Sequence, residues 1–119
     1  MLQRIWKFLR RAFGVRAITV DFESPTRLEL RYFDLSTVFD RSENRITQNG
    51  RAVADLSMVD CIELYESGRH SRGTPQWIVT LRVRGDRRIE VGQVTDSVDA
   101  SIVCAHIATV TGRKVEVSS

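Results

Sequence analysis

The 119-residue sequence is poor in the residue types that mark disulfide-stapled, zinc-binding or disordered proteins. It has 2 Cys, 2 Pro and 7 Gly. Cys61 and Cys104 lie 43 positions apart, with no CxxC motif and no nearby Cys/His cluster. Neither a disulfide scaffold nor a zinc site is therefore indicated, and two buried thiols are expected. The low Pro and Gly content, with 42% hydrophobic and 28% charged residues, is typical of one folded domain.

Long apolar runs are also missing. The one candidate for a membrane span is interrupted by the cations Lys7, Arg10, Arg11 and Arg16. The same cations interrupt the apolar stretch that a secretory signal would need. We therefore expect a cytoplasmic protein, with peripheral attachment at the inner membrane face as an open option.

The sequence lacks catalytic and cofactor-binding motifs. His70 falls in a predicted loop and His106 in a predicted helix, and neither has the HxxxH, HExxH or DxH neighbours of a metal or catalytic site. No glycine-rich phosphate loop is present. We predict a non-enzymatic protein without catalytic residues, metal, cofactor or small-molecule substrate. His106 is expected to be a partly buried or surface residue of the helix. The least favoured alternative is an enzyme with a site around Glu66, Arg69 and His70.

Positive charge is concentrated at one end of the chain. Residues 1–16 contain five basic residues and no acid, whereas residues 17–119 contain 13 basic against 15 acidic residues. Despite a pI near 9.3, the body lacks the excess cations that would neutralise phosphates, so no nucleic-acid partner is expected.

Residues 1–16 are predicted to form a basic amphipathic helix that ends near Gly14, because apolar residues recur at helical spacing. The residues expected to contact a membrane or a partner are the apolar Leu2, Trp6, Leu9 and Phe13 and the cations Arg4, Lys7, Arg10 and Arg11. Such a helix suits the surface of an anionic membrane. The alternatives are packing on the protein's own sheet or in a partner's groove, and an organellar targeting sequence.

Residues 17–119 are predicted to form one domain of strands followed by a helix. Apolar and polar residues alternate with period two, and Asn49-Gly50 and Gly85-Asp86 mark tight turns. After the candidate N-cap Asp96, a helical stripe of apolar residues begins, and it ends at Gly112. The stripe consists of Ala100, Val103, Ile107 and Val110. Residues 114–117 are expected as an extended tail. The predicted fold is α+β: an antiparallel bent sheet or partly open barrel of about six to seven strands, capped by a C-terminal helix.

The order of these elements resembles the bacterial pleckstrin-homology-like (PH-like) domains over residues 27–112. The matching features are the hairpin from Phe39-Asp40-Arg41 to Arg45-Ile46-Thr47, the strands within 56–64 and 77–91, and the helix 97–111. The resemblance implies a binding domain, whose lipid-binding members hold headgroups with a basic motif in the first hairpin. This hairpin departs from that motif, because Asp40 and Glu43 oppose Arg41 and Arg45.

A second candidate site is the loop that contains Arg69, His70 and Arg72, whose cations surround Ser71. Such a loop could bind a phosphate or an acidic peptide through charge-assisted hydrogen bonds. The alternative is a solvated hairpin tip, because 16 of the 18 basic residues are Arg and clusters arise from composition.

Two function classes follow from these patterns. The first is a non-catalytic PH-like binding module attached to a membrane surface by its N-terminal helix. The second is a cytosolic homo-oligomeric scaffold or interaction protein that uses the same helix as a subunit contact. A protein partner or self-association is expected in either class.

Overall fold

The computed structural model describes residues 17–67 and 76–118. The first five strands of this part are β1 Thr19–Ser24, β2 Arg27–Tyr32, β3 Leu35–Asp40, β4 Arg45–Gln48 and β5 Arg51–Ala54. A 3-10 turn, Leu56–Met58, precedes β6 Val59–Glu66, β7 Trp77–Val83 and β8 Arg87–Val94. The helix α1, Ser97–Thr111, and the strand β9, Val115–Ser118, complete the described chain.

These strands form two sheets rather than one. The first sheet is the antiparallel meander β1-β2-β3-β4-β5, and the second has the order β8-β7-β6-β9. Asp55 and the 3-10 turn connect β5, the last strand of the first sheet, to β6 of the second. The prediction of a single bent sheet or partly open barrel of six to seven strands is therefore wrong. The mostly antiparallel α+β fold with a C-terminal helix is confirmed.

The segment predicted as an extended tail is instead a strand of the second sheet. β9 pairs with β6 in parallel, with Val115 opposite Ile62 and Val117 opposite Leu64. The N–H of Ile62 also donates to the carbonyl of Lys114 at 3.0 Å. β9 therefore occupies the edge of β6 that faces away from β7, and the described part of the chain has this one parallel pair.

The helix α1 has the two ends that the sequence predicts. The Asp96 carboxylate accepts a hydrogen bond from the N–H of Val98 at 2.9 Å. Gly112 adopts the left-handed conformation, with φ of 70°, and its N–H donates to the carbonyl of Ala108. These contacts satisfy end groups that have no partner within the helix, so both helix ends are set by local sequence.

One hydrophobic core joins the two sheets and α1. The largest fully buried side chains come from all three parts: Phe39, Leu28, Leu30 and Ile46 from the first sheet, Ile62 and Leu81 from the second, and Ile107 from α1. The sheets approach closely at Gly92 in β8. A Cβ there would lie 2.7 Å from Cγ of Tyr32 and 2.8 Å from Cγ1 of Ile18. This approach requires a residue without a side chain.

Both cysteines are buried and free, as expected. Burial raises the pKa of the Cys61 thiol and raises that of Cys104 to about 11. The thiols are therefore held protonated in the folded protein at pH values at which exposed thiols ionise.

We expect Cys104 to make the protein less stable as the pH rises above 9. The thiol ionises near pH 9 when exposed by unfolding but near pH 11 when folded, so its contribution is complete below pH 9 and is lost towards pH 11. The loss at pH 10 should be about 1.4 kcal/mol. Urea unfolding of the wild type and of Cys104→Ala at pH 8 and pH 10 measures it. An equal pH dependence in both proteins would contradict the prediction.

Candidate interaction surface

The residues predicted from the sequence to bind a membrane, a partner or an anion lie outside the described residues. They are Leu2, Arg4, Trp6, Lys7, Leu9, Arg10, Arg11 and Phe13 of the N-terminal segment, and Arg69, His70 and Arg72 of the loop. Of the alternative enzyme site, Glu66 is described, and it is half-buried at the end of β6. The predicted N-terminal helix likewise falls outside the described residues.

The outer face of the first sheet is covered by ion pairs. Arg27 lies between two carboxylates, with Nε 2.7 Å from Glu29 and Nη1 3.2 Å from Asp40. Arg31 pairs with Asp21 at 3.0 Å. The hydrogen bond with Glu29 raises the pKa of Arg27. Cations and carboxylates alternate across β1, β2 and β3, so the charges of these paired residues offset one another.

The outer face of the second sheet carries a similar network centred on Glu63. Its carboxylate lies 2.9 Å from Nε of Arg88 and 3.5 Å from Nη1 of Arg82. Arg82 reaches Glu116 of β9 at 3.7 Å, and Lys114 contacts the same carboxylate. Hydrogen bonding to Glu63 raises the pKa of Arg88. The network links β6, β7, β8 and β9, and its charges are engaged with one another.

The histidine of α1 connects the helix to the edge of the first sheet. His106 Nδ1 lies 2.5 Å from Oε2 of Glu23 in β1. The His106 side chain is part-exposed on the helix surface, in agreement with the prediction for this residue. The pair is a structural link between α1 and β1 in this geometry.

The fully exposed residues of α1 are uncharged, and the ionisable Asp99 and His106 beside them are half-buried. We define the α1 outer face as the exposed residues Val98, Ser101, Ile102, Ala105 and Thr109. Val98 is 63% exposed and Ile102 is 51% exposed, one turn further along the helix. Meanwhile Ala100, Val103, Cys104, Ile107 and Val110 are buried in the core. Val98 and Ile102 are therefore two exposed apolar side chains on an otherwise small and polar helix surface.

The sequence contains a signal for this surface in the apolar residues outside the buried stripe of α1. The predicted stripe consists of Ala100, Val103, Ile107 and Val110, all of which are buried. Val98 and Ile102 fall outside that stripe but are spaced four residues apart, which places them together on a helix. Apolar residues outside the core stripe of a capped helix are therefore the pattern that points to this surface.

Comparison of the chain with protein-family models, with curated proteins and with solved structures gave no match. Within residues 17–67 and 76–118, no helix has the length and apolar character needed to cross a membrane. The same residues contain no cluster of three or more His, Cys, Asp or Glu side chains placed to hold a metal ion.

Proposed function

We propose that the chain is a non-catalytic, PH-like binding module that attaches to the surface of an anionic membrane through its basic N-terminal helix. The observation that carries the proposal is the separation of charge along the chain. Residues 1–16 have a formal charge of +5. Residues 17–119 have 13 basic against 15 acidic residues, a formal charge of −2. The cationic segment and the body therefore interact with an anionic surface in opposite ways.

The ion pairs of the body strengthen this distinction. Arg27, Arg31, Arg82 and Arg88 are engaged by carboxylates of the sheets. Because residues 17–119 carry a small net negative charge, anionic lipid does not attract this body as a whole over distances of a Debye length. The attraction must then come from residues 1–16, where each cation near such a surface contributes about 1 kcal/mol and the apolar residues add insertion.

The PH-like part of the proposal is supported by the order of elements. Two antiparallel meanders are followed by a helix that contacts strands of both sheets. In the hairpin between β3 and β4, Arg41 and Arg45 are exposed beside the exposed Glu43, and Asp40 is already engaged by Arg27. This mixed charge favours attachment through the N-terminal helix over headgroup binding at the hairpin.

Vesicle sedimentation tests the proposal. We expect the full chain to bind vesicles of phosphatidylcholine and phosphatidylserine and to be released by high salt. Replacing two terminal cations, Arg10→Gln with Arg11→Gln, should weaken binding about 30-fold, because roughly 2 kcal/mol of attraction is lost. The matched control replaces the exposed hairpin cations, Arg41→Gln with Arg45→Gln, and should change binding less than about twofold.

Two results would overturn the membrane proposal. One is no binding to phosphatidylserine vesicles at low salt. The other is an equal loss of binding in the two double variants, which would place the lipid contact on the body rather than on the terminal segment.

The second candidate function is a homo-oligomeric scaffold, and the exposed Val98 and Ile102 favour it. An exposed apolar strip of this kind is common where proteins associate. Sedimentation velocity without lipid distinguishes the two candidates. A concentration-dependent oligomer combined with the absence of vesicle binding would favour the scaffold.

A further inference from the structure

The strand β9 forms an edge of the second sheet, and within the described part of the chain no strand pairs with its outer side. The N–H of Ile62 in β6 donates to the carbonyl of Lys114. Because successive residues of a strand direct their N–H and C=O groups to alternate sides, Lys114 and Glu116 face β6. The N–H and C=O groups of Val115 and Val117 therefore point outward, along the open edge.

The other edge strands of the described chain, β1, β5 and β8, are less suited to pair with a further strand. β1 has a bulge at Asp21, where its register with β2 shifts. The carbonyl of Val53 in β5 accepts a hydrogen bond from Arg87, and that of Glu90 in β8 accepts one from Gln48. A bulge or a covered edge hinders pairing with another chain. The register of β9 with β6 is unbroken, and the outward backbone groups of β9 form no hydrogen bond with the described residues.

The charges next to this edge are complementary to themselves in an antiparallel arrangement. Lys114 and Glu116 lie on the same face of the second sheet, with the amine 3.7 Å from the carboxylate. When two copies of β9 pair about a two-fold axis at Val115, Lys114 of each copy lies opposite Glu116 of the other. Opposite charges that face each other across two strands stabilise the pairing. A two-fold contact contains this pair twice.

The same charges disfavour the neighbouring registers. Antiparallel strands bond only where outward-facing residues of both strands lie opposite each other, so the register shifts in steps of two residues. One step in one direction places Lys114 opposite Lys114 of the second copy. One step in the other direction places Glu116 opposite Glu116. Like charges directly opposite each other are destabilising, so the charges select the register centred on Val115.

This register also covers an exposed apolar side chain. Val117 is 65% exposed, and it lies on the same face of the sheet as its buried neighbour Leu64. In the register centred on Val115, it lies opposite Arg113 of the second copy. The aliphatic part of an arginine covers apolar surface while its guanidinium stays in water. The contact therefore joins backbone groups, charges and an apolar side chain that are all exposed at this edge.

We propose that two copies of the chain associate by antiparallel pairing of β9 with β9, with Val115 at the two-fold axis. The N–H of each Val115 then donates to the carbonyl of the other Val115, and the N–H of each Val117 donates to the carbonyl of Arg113 in the other copy. The paired segments are short, so the dimer is reversible rather than permanent. The inference uses no residue of the N-terminal segment and is independent of the proposed membrane function.

Sedimentation velocity of the full chain without lipid tests the charge pairing. We expect the wild type to change from monomer to dimer between about 1 µM and about 500 µM. Lys114→Glu alone and Glu116→Lys alone each place like charges opposite each other, and each should weaken dimerisation about 10-fold or more. An equimolar mixture of these two variants has opposite charges across the contact again. The mixture should therefore dimerise about as strongly as the wild type.

A proline variant tests the backbone contact without changing a charge. Val117→Pro removes an outward N–H and leaves the bonds between β6 and β9 in place, because proline is tolerated where the N–H of an edge strand faces solvent. It should weaken dimerisation about 10-fold or more, whereas the matched control Val117→Ala keeps the N–H and should weaken it about threefold or less. Circular dichroism verifies that each variant is folded. This comparison decides the question even if Glu116→Lys, which loses the contact with Arg82, does not fold.

Amide hydrogen exchange measured by NMR locates the contact. The N–H groups of Val115 and Val117 should exchange more slowly at high protein concentration than at low concentration. The N–H of Glu116 faces β6 and should exchange slowly at both. Exchange of Val117 that does not change as the dimer forms overturns the proposal.

Three further results overturn it. The first is a wild type that stays monomeric at the highest concentration, and the second is equal dimerisation of Val117→Pro and Val117→Ala. The third is a dimer that is lost in Val98→Gln with Ile102→Gln but kept in Lys114→Glu, which would place the contact on the α1 outer face. Failure of vesicle binding bears only on the membrane proposal, because these experiments contain no lipid.

Discussion

Replacing Phe39 by alanine is expected to lower the free energy of unfolding by about 3–5 kcal/mol. Phe39 in β3 is the largest fully buried side chain of the described residues. It lies opposite Leu28 of β2 and Ile46 of β4, and both of these neighbours are buried as well. Removing the ring leaves a cavity at the centre of the first sheet, where the regular backbone of three paired strands limits collapse. Urea unfolding followed by circular dichroism measures the loss.

The adjacent residue provides the control for Phe39. Val38 is next to Phe39 in β3 but points to the other face of the sheet, where it is half-buried opposite Glu29 and Thr47. Val38→Ala should therefore cost about 1 kcal/mol or less. Equal losses for Val38→Ala and Phe39→Ala would mean that the buried face of the first sheet has been assigned incorrectly.

The second large effect is expected from one added methyl group, in Gly92→Ala. The new Cβ would lie 2.7–2.8 Å from the base of the Tyr32 and Ile18 side chains. These atoms are close to the backbone of β1 and β2, so they cannot move aside without shifting the strands. We expect a loss of about 2–3 kcal/mol in the free energy of unfolding, in the upper part of the range for overpacked cores.

A double-mutant cycle identifies the cause of the Gly92 effect. Tyr32→Ala removes the ring carbon that the new methyl group meets first. Gly92→Ala should consequently cost less in the Tyr32→Ala background than in the wild type, with a coupling energy of about 0.5–2 kcal/mol. Strict additivity of the two substitutions would show that the loss comes from backbone flexibility at residue 92 rather than from the contact between the sheets.

Local patterns predicted the elements whose determinants are close together in the sequence. The ends of α1 followed from Asp96 and Gly112, because each makes its capping contact within a few residues. The turn at Asn49-Gly50 followed in the same way, because both residues adopt the positive φ that this dipeptide allows. The charge of residues 1–16 is likewise a property of composition.

The remaining features depend on residues that are distant in the sequence. β9 is a strand because folding brings the open edge of β6 to Val115 and Val117, and four residues are too few to show which edge they pair with. The close approach at Gly92 joins residues of β1, β2 and β8. The exposure of Val98 and Ile102 depends on which side of α1 faces the two sheets. Whether an apolar side chain is buried depends on what surrounds it in the folded structure. The chemical type of the side chain alone does not determine its burial.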